Sequence, residues 1–310
     1  MTADAISWQA RKVASAFRRM PVSSFLHLAA VACVALVGLP AASVGGADHF
    51  EARQPPIAMA ETVTVTPGSF QHPQPGEFLR DGHPVSAPQI LAEVRHSFEI
   101  MKYQVGSTDY GRCVEAGACE PADAVVVEDR PVTGVSHIDA EAYAAWYSDV
   151  TGDTWRLPTD VEWAFAAGER FRGDIEGGQA DPSNPAQRWL ALYRAESGLA
   201  RKADPEARAS GSFGANSRGL ADIAGNVWEW TSTCYANATL SNDGAGVDSV
   251  VENCGVHVVE GFHRTYMSNF IRDGKSGGCA VGTPPDNLGF RLVRHESGLG
   301  RVVLRILGIS

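Results

Sequence analysis

Glu229 stands between Trp228 and Trp230, in the run Gly219–Thr231 that also holds Asp222, Gly225 and Asn226. Two large aromatics within three residues belong in a core, since each buries about 150–250 Å². The acid between them is of a type almost never fully buried unless paired or bound to a metal. Asp222 precedes it in the same run, and Gly225 permits a turn that brings backbone carbonyls toward the same point. Two carboxylates plus turn carbonyls make a hard oxygen cage that suits Ca²⁺ better than a transition metal. The competing reading is a surface acid on a strand whose neighbours are buried.

The cysteines are the second chemical group. Cys113 and Cys119 bracket a short Gly-containing loop and read as a local disulfide in an oxidising compartment. Cys234 and Cys254 flank a polar, Gly-rich excursion and can staple it, with Cys279 as the competing partner. Cys33 lies in the N-terminal apolar run, so the remaining five leave one thiol over. A zinc site is the weaker reading, because no C-x-x-C pair or His-rich spacing accompanies them.

The N-terminus agrees with export. Basic residues through Arg19 precede an apolar run from Phe25 to Pro40, followed by small residues to Ala47. A charged segment, a short apolar segment and small residues describe an export signal or N-terminal anchor over 1–47. Its apolar stretch is short for a membrane span of about 20 residues. Beyond it, no membrane span is expected. The chain carries a net charge of −10 over 310 residues, and the first 47 hold four bases against one acid. Removing that +3 leaves about −13 on the remainder. A body this acidic argues against nucleic acid, which needs basic patches. The hydrophobic fraction of 44% and charged fraction of 20% are those of a globular protein.

Several elements are expected to position these groups. Residues 48–60 read as a linker. Thr62–Thr66 and Ser97–Val105 alternate as strands, while 71–89, rich in proline, reads as an ordered loop. A helix follows at Ser107–Val114. The best helix is Asp139–Val150, capped by Ser136 with Asp139 at N3 and stopped by Gly152. Its apolar face is Ala142, Tyr143, Trp146, Tyr147 and Val150. Another runs from Thr159, boxed by Glu162, to Gly168, and an amphipathic island covers Ala186–Ser197. After the tryptophans come a polar loop, a strand at Val256–Glu260, a closing strand at Gly289–Val293, and an amphipathic tail within 296–310. Short strands, modest helices and much irregular chain make an α+β domain.

The Gly219–Thr231 run resembles the G-L-Y-N-x-x-G-N-V-W-E-W-T hallmark of the formylglycine-generating enzyme family, or sulfatase-modifying-factor domain. Three further motifs match in order: Pro131-Val-Thr-Gly-Val-Ser136, Arg156-Leu-Pro-Thr-Asp-Val-Glu-Trp163 and Asn287-Leu-Gly-Phe-Arg291. The resemblance covers about 61–295 and implies the family's elaborated C-type-lectin-like fold, low in regular secondary structure. It implies a calcium held by Asp222, the carbonyls of Gly225 and Val227, and Glu229. A second family calcium site has no clear counterpart. Gln104 stands where the family has an acid.

The family's catalysis resembles that of a copper oxygenase converting a substrate cysteine to formylglycine, with two cysteines five residues apart binding Cu(I). Soft thiolates are what Cu(I) selects. The matching segment here, His263–Asp273, places Ser268 and Asp273 at those positions, and neither replaces a thiolate. His263, Tyr266, Ser268, Arg272 and Asp273 are then the candidate groove residues. His263 reads as a base and Ser268 as a nucleophile in a rebuilt hydrolytic site, against a solvated groove rim. His257 and His263, with Met267 as a soft ligand, are candidates for iron or copper.

The expected function is therefore an exported, periplasmic or secreted bacterial accessory protein that binds a protein or peptide partner. The segment Arg272–Gly282 resembles that of cysteine-less relatives of the NirV kind, which implies maturation of a metalloenzyme such as copper nitrite reductase. The alternatives are a nonheme-iron or copper oxidoreductase modifying a peptide or siderophore-like substrate, and a formylglycine-generating oxygenase with relocated ligands.

Overall fold

The computed structural model describes residues 58–174, 184–198, 206–242, 246–275 and 285–295. The export signal, the linker before residue 58, Cys33, Cys279 and the C-terminal tail lie outside the described residues.

Three sheets and four α-helices carry the described chain. A four-stranded sheet has the order β1 (Thr62–Val65), β6 (Phe98–Met101), β12 (Val293–His295), β7 (Trp155–Arg156). A second sheet runs β10 (Thr265–Ser268), β9 (Val247–Glu260), β8 (Trp228–Leu240), β3 (Glu77–Arg80), β4 (His83–Val85), with β11 (Leu288–Gly289) parallel to β8. β2 (Gly68–Pro73) and β5 (Gln89–Val94) form a separate antiparallel ribbon. The helices are α1 (Ser107–Glu115), α2 (His137–Thr151), α3 (Asp160–Ala167) and α4 (Pro185–Gly198). This is a mixed α+β fold in which long stretches of chain are neither helix nor strand.

Two expectations need correction. The proline-rich span 71–89 holds strands rather than a loop. Pro73 sits at the end of β2, in a two-stranded ribbon where a missing N–H costs little, and Pro84 lies in β4 at the edge of its sheet. The polar chain after the tryptophans is not a loop either. It forms the β8–β9 hairpin, whose outer half is solvent-exposed along β9 and whose polar composition hid its strand character.

The helix ends match their sequence signals. Ser136 and Asp139 form a reciprocal capping box on α2, and Gly152 closes it in the left-handed conformation at φ 76°. Thr159 and Glu162 do the same for α3. The buried face of α2 is Ala140, Tyr143, Ala144 and Tyr147, whereas Val150 is exposed. The apolar face is thus rotated from the expected one.

β8 explains the Trp-Glu-Trp pattern. Alternate residues of a strand face opposite ways, and both faces of β8 are covered here. Trp228 and Trp230 enter one core with Met101, Tyr143, Tyr147, Trp155 and Phe290. Glu229 points the other way, against Trp163 of the second core, which also holds Phe98, Ile100, Leu220 and Val293.

Candidate functional site

Glu229 is fully buried, and protein donors occupy both its oxygens. Oε1 accepts from Gln104 Nε2 and Arg291 Nη2, each at 2.8 Å, and Oε2 from Trp163 Nε1 at 2.8 Å and Arg291 Nε at 2.6 Å. Arg291 is itself wholly buried. Its remaining N–H groups reach the carbonyls of Met101, Lys102 and Ala221 at 3.0–3.1 Å. A carboxylate with four N–H donors and a bidentate guanidinium is a satisfied buried ion pair.

The carboxylates of the expected calcium site are engaged by protein donors. Asp222 accepts backbone N–H bonds from Phe213 and Gly211, and the Gly225 carbonyl accepts from Val227 N at 2.7 Å. Among these side chains, Gln104 Oε1 is the one oxygen without a partner. Calcium takes six to eight oxygens, and here both carboxylates of the expected set are spent on protein donors. The positive charge beside Glu229 comes from Arg291, and an amide at 104, unlike an acid, donates to Glu229. The turn itself is tight: Asp222, Ala224 and Asn226 all take positive φ, from 57° to 60°.

The groove residues divide between scaffold and rim. His263 is buried, its Nδ1 2.8 Å from the Arg264 carbonyl and its ring edge-on to Trp228. Arg272 ties Asp139, at 2.7 Å, to Asp123 and the Pro121 carbonyl, bracing the start of α2. Asp273 accepts from Lys275 N and shapes a turn. Ser268 is half-buried at the end of β10, on the face opposite Met267, which is fully buried in the core. His257 lies opposite Met267 in the β9–β10 pairing and stacks on His137, whereas the His263 ring packs against Trp228. No group of three or more His, Cys, Asp or Glu able to hold a metal occurs among the described residues.

What the motif reading missed is the surroundings of Arg264. This buried guanidinium donates from Nε to Glu260 at 2.8 Å, and from Nη1 to Asp174 at 3.0 Å and the Pro73 carbonyl at 2.8 Å. Its Nη2 lies 3.2 Å from Asp160 and from His72 Nε2, and His72 Nε2 is 2.6 Å from Asp160. Tyr266 closes the cluster by donating to Asp174 at 2.9 Å while accepting from Gly76 N. The members come from β2, α3, β9, β10 and the chain near Asp174, so no local pattern announces them.

Electrostatics divides the two innermost acids. Burial opposes ionisation of Asp160, but Arg264 and His72 overcome it and hold the carboxyl at about 2. Burial raises Glu260 well above its usual value, reinforced by the Asp160 charge and only partly offset by Arg264. Burial thus favours the neutral form of Glu260, and Arg264 with His72 the ionised form of Asp160, whose buried Oδ1 has no hydrogen-bond partner. Burial also raises Asp174, at the outer end of the cluster.

A family model, the sulfatase-modifying factor enzyme 1-like domain, matches residues 48–296. This chain belongs to that family. Among its relatives, the formylglycine-generating enzyme of Streptomyces coelicolor is 31% identical over 182 residues, covering 53% of this chain and 52% of that protein. The bovine inactive Cα-formylglycine-generating enzyme 2 is 36% identical over 114 residues, 35% of this chain and 34% of the relative. Hercynine oxygenase of Mycolicibacterium smegmatis is 37% identical over 113 residues, 34% of this chain and 22% of the relative. The chain thus spans about half or less of the length of these curated relatives. The family scaffold is shared with oxygenases, and it fixes the fold.

Proposed function

We propose that this chain is an exported accessory protein that uses the sulfatase-modifying scaffold to bind a partner polypeptide, without Cu(I)–thiolate chemistry. The observation that carries the reading is the pair Ser268 and Asp273, which stand where the resemblance puts the copper-binding cysteines. Neither offers a soft ligand, and the strand leading to Ser268 begins in the closed ion network of Arg264 rather than in an open metal pocket. A relative named as an inactive formylglycine-generating enzyme supports loss of the parent chemistry on this fold. The partner class we propose is a periplasmic metalloenzyme under maturation, of the copper nitrite reductase kind.

The test joins binding with chemistry. The full chain is titrated calorimetrically with an apo copper nitrite reductase, and separately incubated with a cysteine peptide, Cu(I) and oxygen. Saturable binding with no aldehyde in the peptide mass spectrum is expected. Aldehyde formation, or stoichiometric copper or iron that is lost on His263→Ala, overturns the reading in favour of an oxidoreductase. The hercynine oxygenase relatives keep that second reading in view.

A further inference from the structure

The two disulfides of the described chain differ in setting. Cys113 and Cys119 are both buried, at the end of α1, with relative exposures of 0% and 8%. Cys234–Cys254 joins β8 to β9 at an irregularity in their pairing. Cys234 lies opposite His257 while Tyr235 lies opposite Asn253, so residues 254–256 bulge away from β8 without a partner on it, although Val256 still pairs with Ser268 of β10. Cys254 is exposed and Cys234 half-buried. Cys254 is thus the more exposed end of this bond, and Cys234 the end nearer the interior.

The protein side holds two buried imidazoles, each with one ring nitrogen that has no hydrogen-bond partner. His257 Nε2 lies 4.0 Å from Cys234 Sγ, and its buried Nδ1 has no hydrogen-bond partner. Its ring stacks on His137 at 3.6 Å between centroids, and His137 Nε2 is likewise buried and unpartnered. Leaving two such nitrogens unsatisfied is unfavourable, so the arrangement calls for an explanation other than packing. In the Nε2–H tautomer, His257 aims a donor at Cys234 sulfur, which as a disulfide is a poor acceptor and as a thiolate a good one.

We propose that Cys234–Cys254 is a redox-active disulfide that exchanges with an external dithiol, with His257 stabilising the departing Cys234 thiolate. This proposal does not depend on the partner-binding reading above. In the first step an incoming thiolate attacks Sγ of Cys254, the more exposed of the two residues. The new S–S bond forms as the Cys234–Cys254 bond breaks, and Cys234 leaves with the electron pair, held by the His257 N–H. In the second step the other thiol of the reagent, as thiolate, attacks its own sulfur in the mixed disulfide and releases Cys254. Two protons pass from the reagent, by way of solvent, to Cys234 and Cys254. The external dithiol is oxidised by two electrons and the protein disulfide is reduced. A stabilised leaving thiolate accelerates such exchange. Ladder pairs on both sides, Glu229 and Trp230 with Glu260 and Val259, and Tyr235 to Leu240 with Asn253 to Val247, keep the strands together through the cycle.

The test is native-state reduction of the full chain by dithiothreitol, quenched by alkylation and mapped by peptide mass spectrometry, which separates Cys33 and Cys279 from the paired cysteines. Cys234 and Cys254 are expected to be labelled at least about tenfold faster than Cys113 and Cys119, without unfolding by circular dichroism. His257→Gln is expected to slow that exchange about tenfold and to move the Cys234 thiolate titration, read by its ultraviolet absorbance, to higher pH. Equal rates at the two disulfides, or reduction only after unfolding in urea, would make Cys234–Cys254 a structural staple and overturn the proposal. An unchanged rate and titration in a folded His257→Gln variant would remove His257 from the mechanism.

Discussion

Arg264 shows how far one buried charge reorganises its surroundings. Its guanidinium meets Asp160, Glu260 and Asp174, and burial favours the neutral form of Glu260, which eases the crowding of three acids around one base. The two inner acids should then respond differently to amide substitution. Glu260→Gln keeps a neutral donor and is expected to change stability by less than about 1 kcal/mol. Asp160→Asn strips Arg264 of its ionised partner and is expected to cost about 3–5 kcal/mol, the usual effect of unpairing a buried charge. Urea denaturation distinguishes them, and equal losses would refute the proton assignment. Arg291 acts similarly beside Glu229, as the cation in a site whose acid pattern suggested a metal. Chelation by EGTA is accordingly expected to leave the thermal midpoint unchanged, and a drop of several degrees that calcium restores would refute that fit.

At the scale of elements, α2 depends on its first turn. Ser136 Oγ accepts from Asp139 N, the Asp139 carboxylate accepts from Ser136 N, and Arg272 then pairs with Asp139 from the β10 side. Ser136→Ala is expected to cost about 1 kcal/mol through the lost cap, read as a lower midpoint in thermal unfolding. β8 has an equally tight constraint. A Cβ on Gly261 would come within 2.6 Å of the Trp228 ring, so Gly261→Ala is expected to destabilise by about 1–3 kcal/mol through overpacking. The capping motifs were legible in sequence because they are local. The β8–β9 hairpin was not, because its exposed outer half carries polar side chains and its pairing partner is distant.

For the molecule as a whole, the stacked His137–His257 pair sets a pH dependence. Burial first, then His257, pushes His137 from 6.5 down to about 4, and burial lowers His257 as well. Glu141, 3.6 Å from His137 Nδ1, is itself raised by burial. At these two histidines the unfolded chain therefore binds more protons than the folded one, while the raised Glu141 acts in the opposite sense. The stability that neutral His137 contributes is fully present above about pH 6.5 and is lost as the pH falls toward 4. Glu260 works in the opposite direction, since its stabilising proton is held below its unfolded value and lost as the pH rises. Thermal midpoints recorded from pH 7 to pH 4 are expected to fall, with a shallower slope in His137→Gln. An identical slope in that variant would place the acid sensitivity elsewhere.

By itself, the sequence determined the family, the α+β class, the helix caps and the pairing candidates among the cysteines. Each of these depends on neighbours a few residues apart, or on motifs whose order survives without coordinates. It marked Glu229 as either a compensated interior acid or a surface acid between buried tryptophans. Tertiary structure alone decided between them: Arg291, from the chain between β11 and β12, Gln104, from the chain after β6, and Trp163 of α3 enclose it. The same holds for the Arg264 cluster, the His137–His257 stack and the placing of Cys234 beside His257. Electrostatic and hydrogen-bond partners act over a few ångströms of space, and strand pairing brings together residues that no spacing in the chain relates.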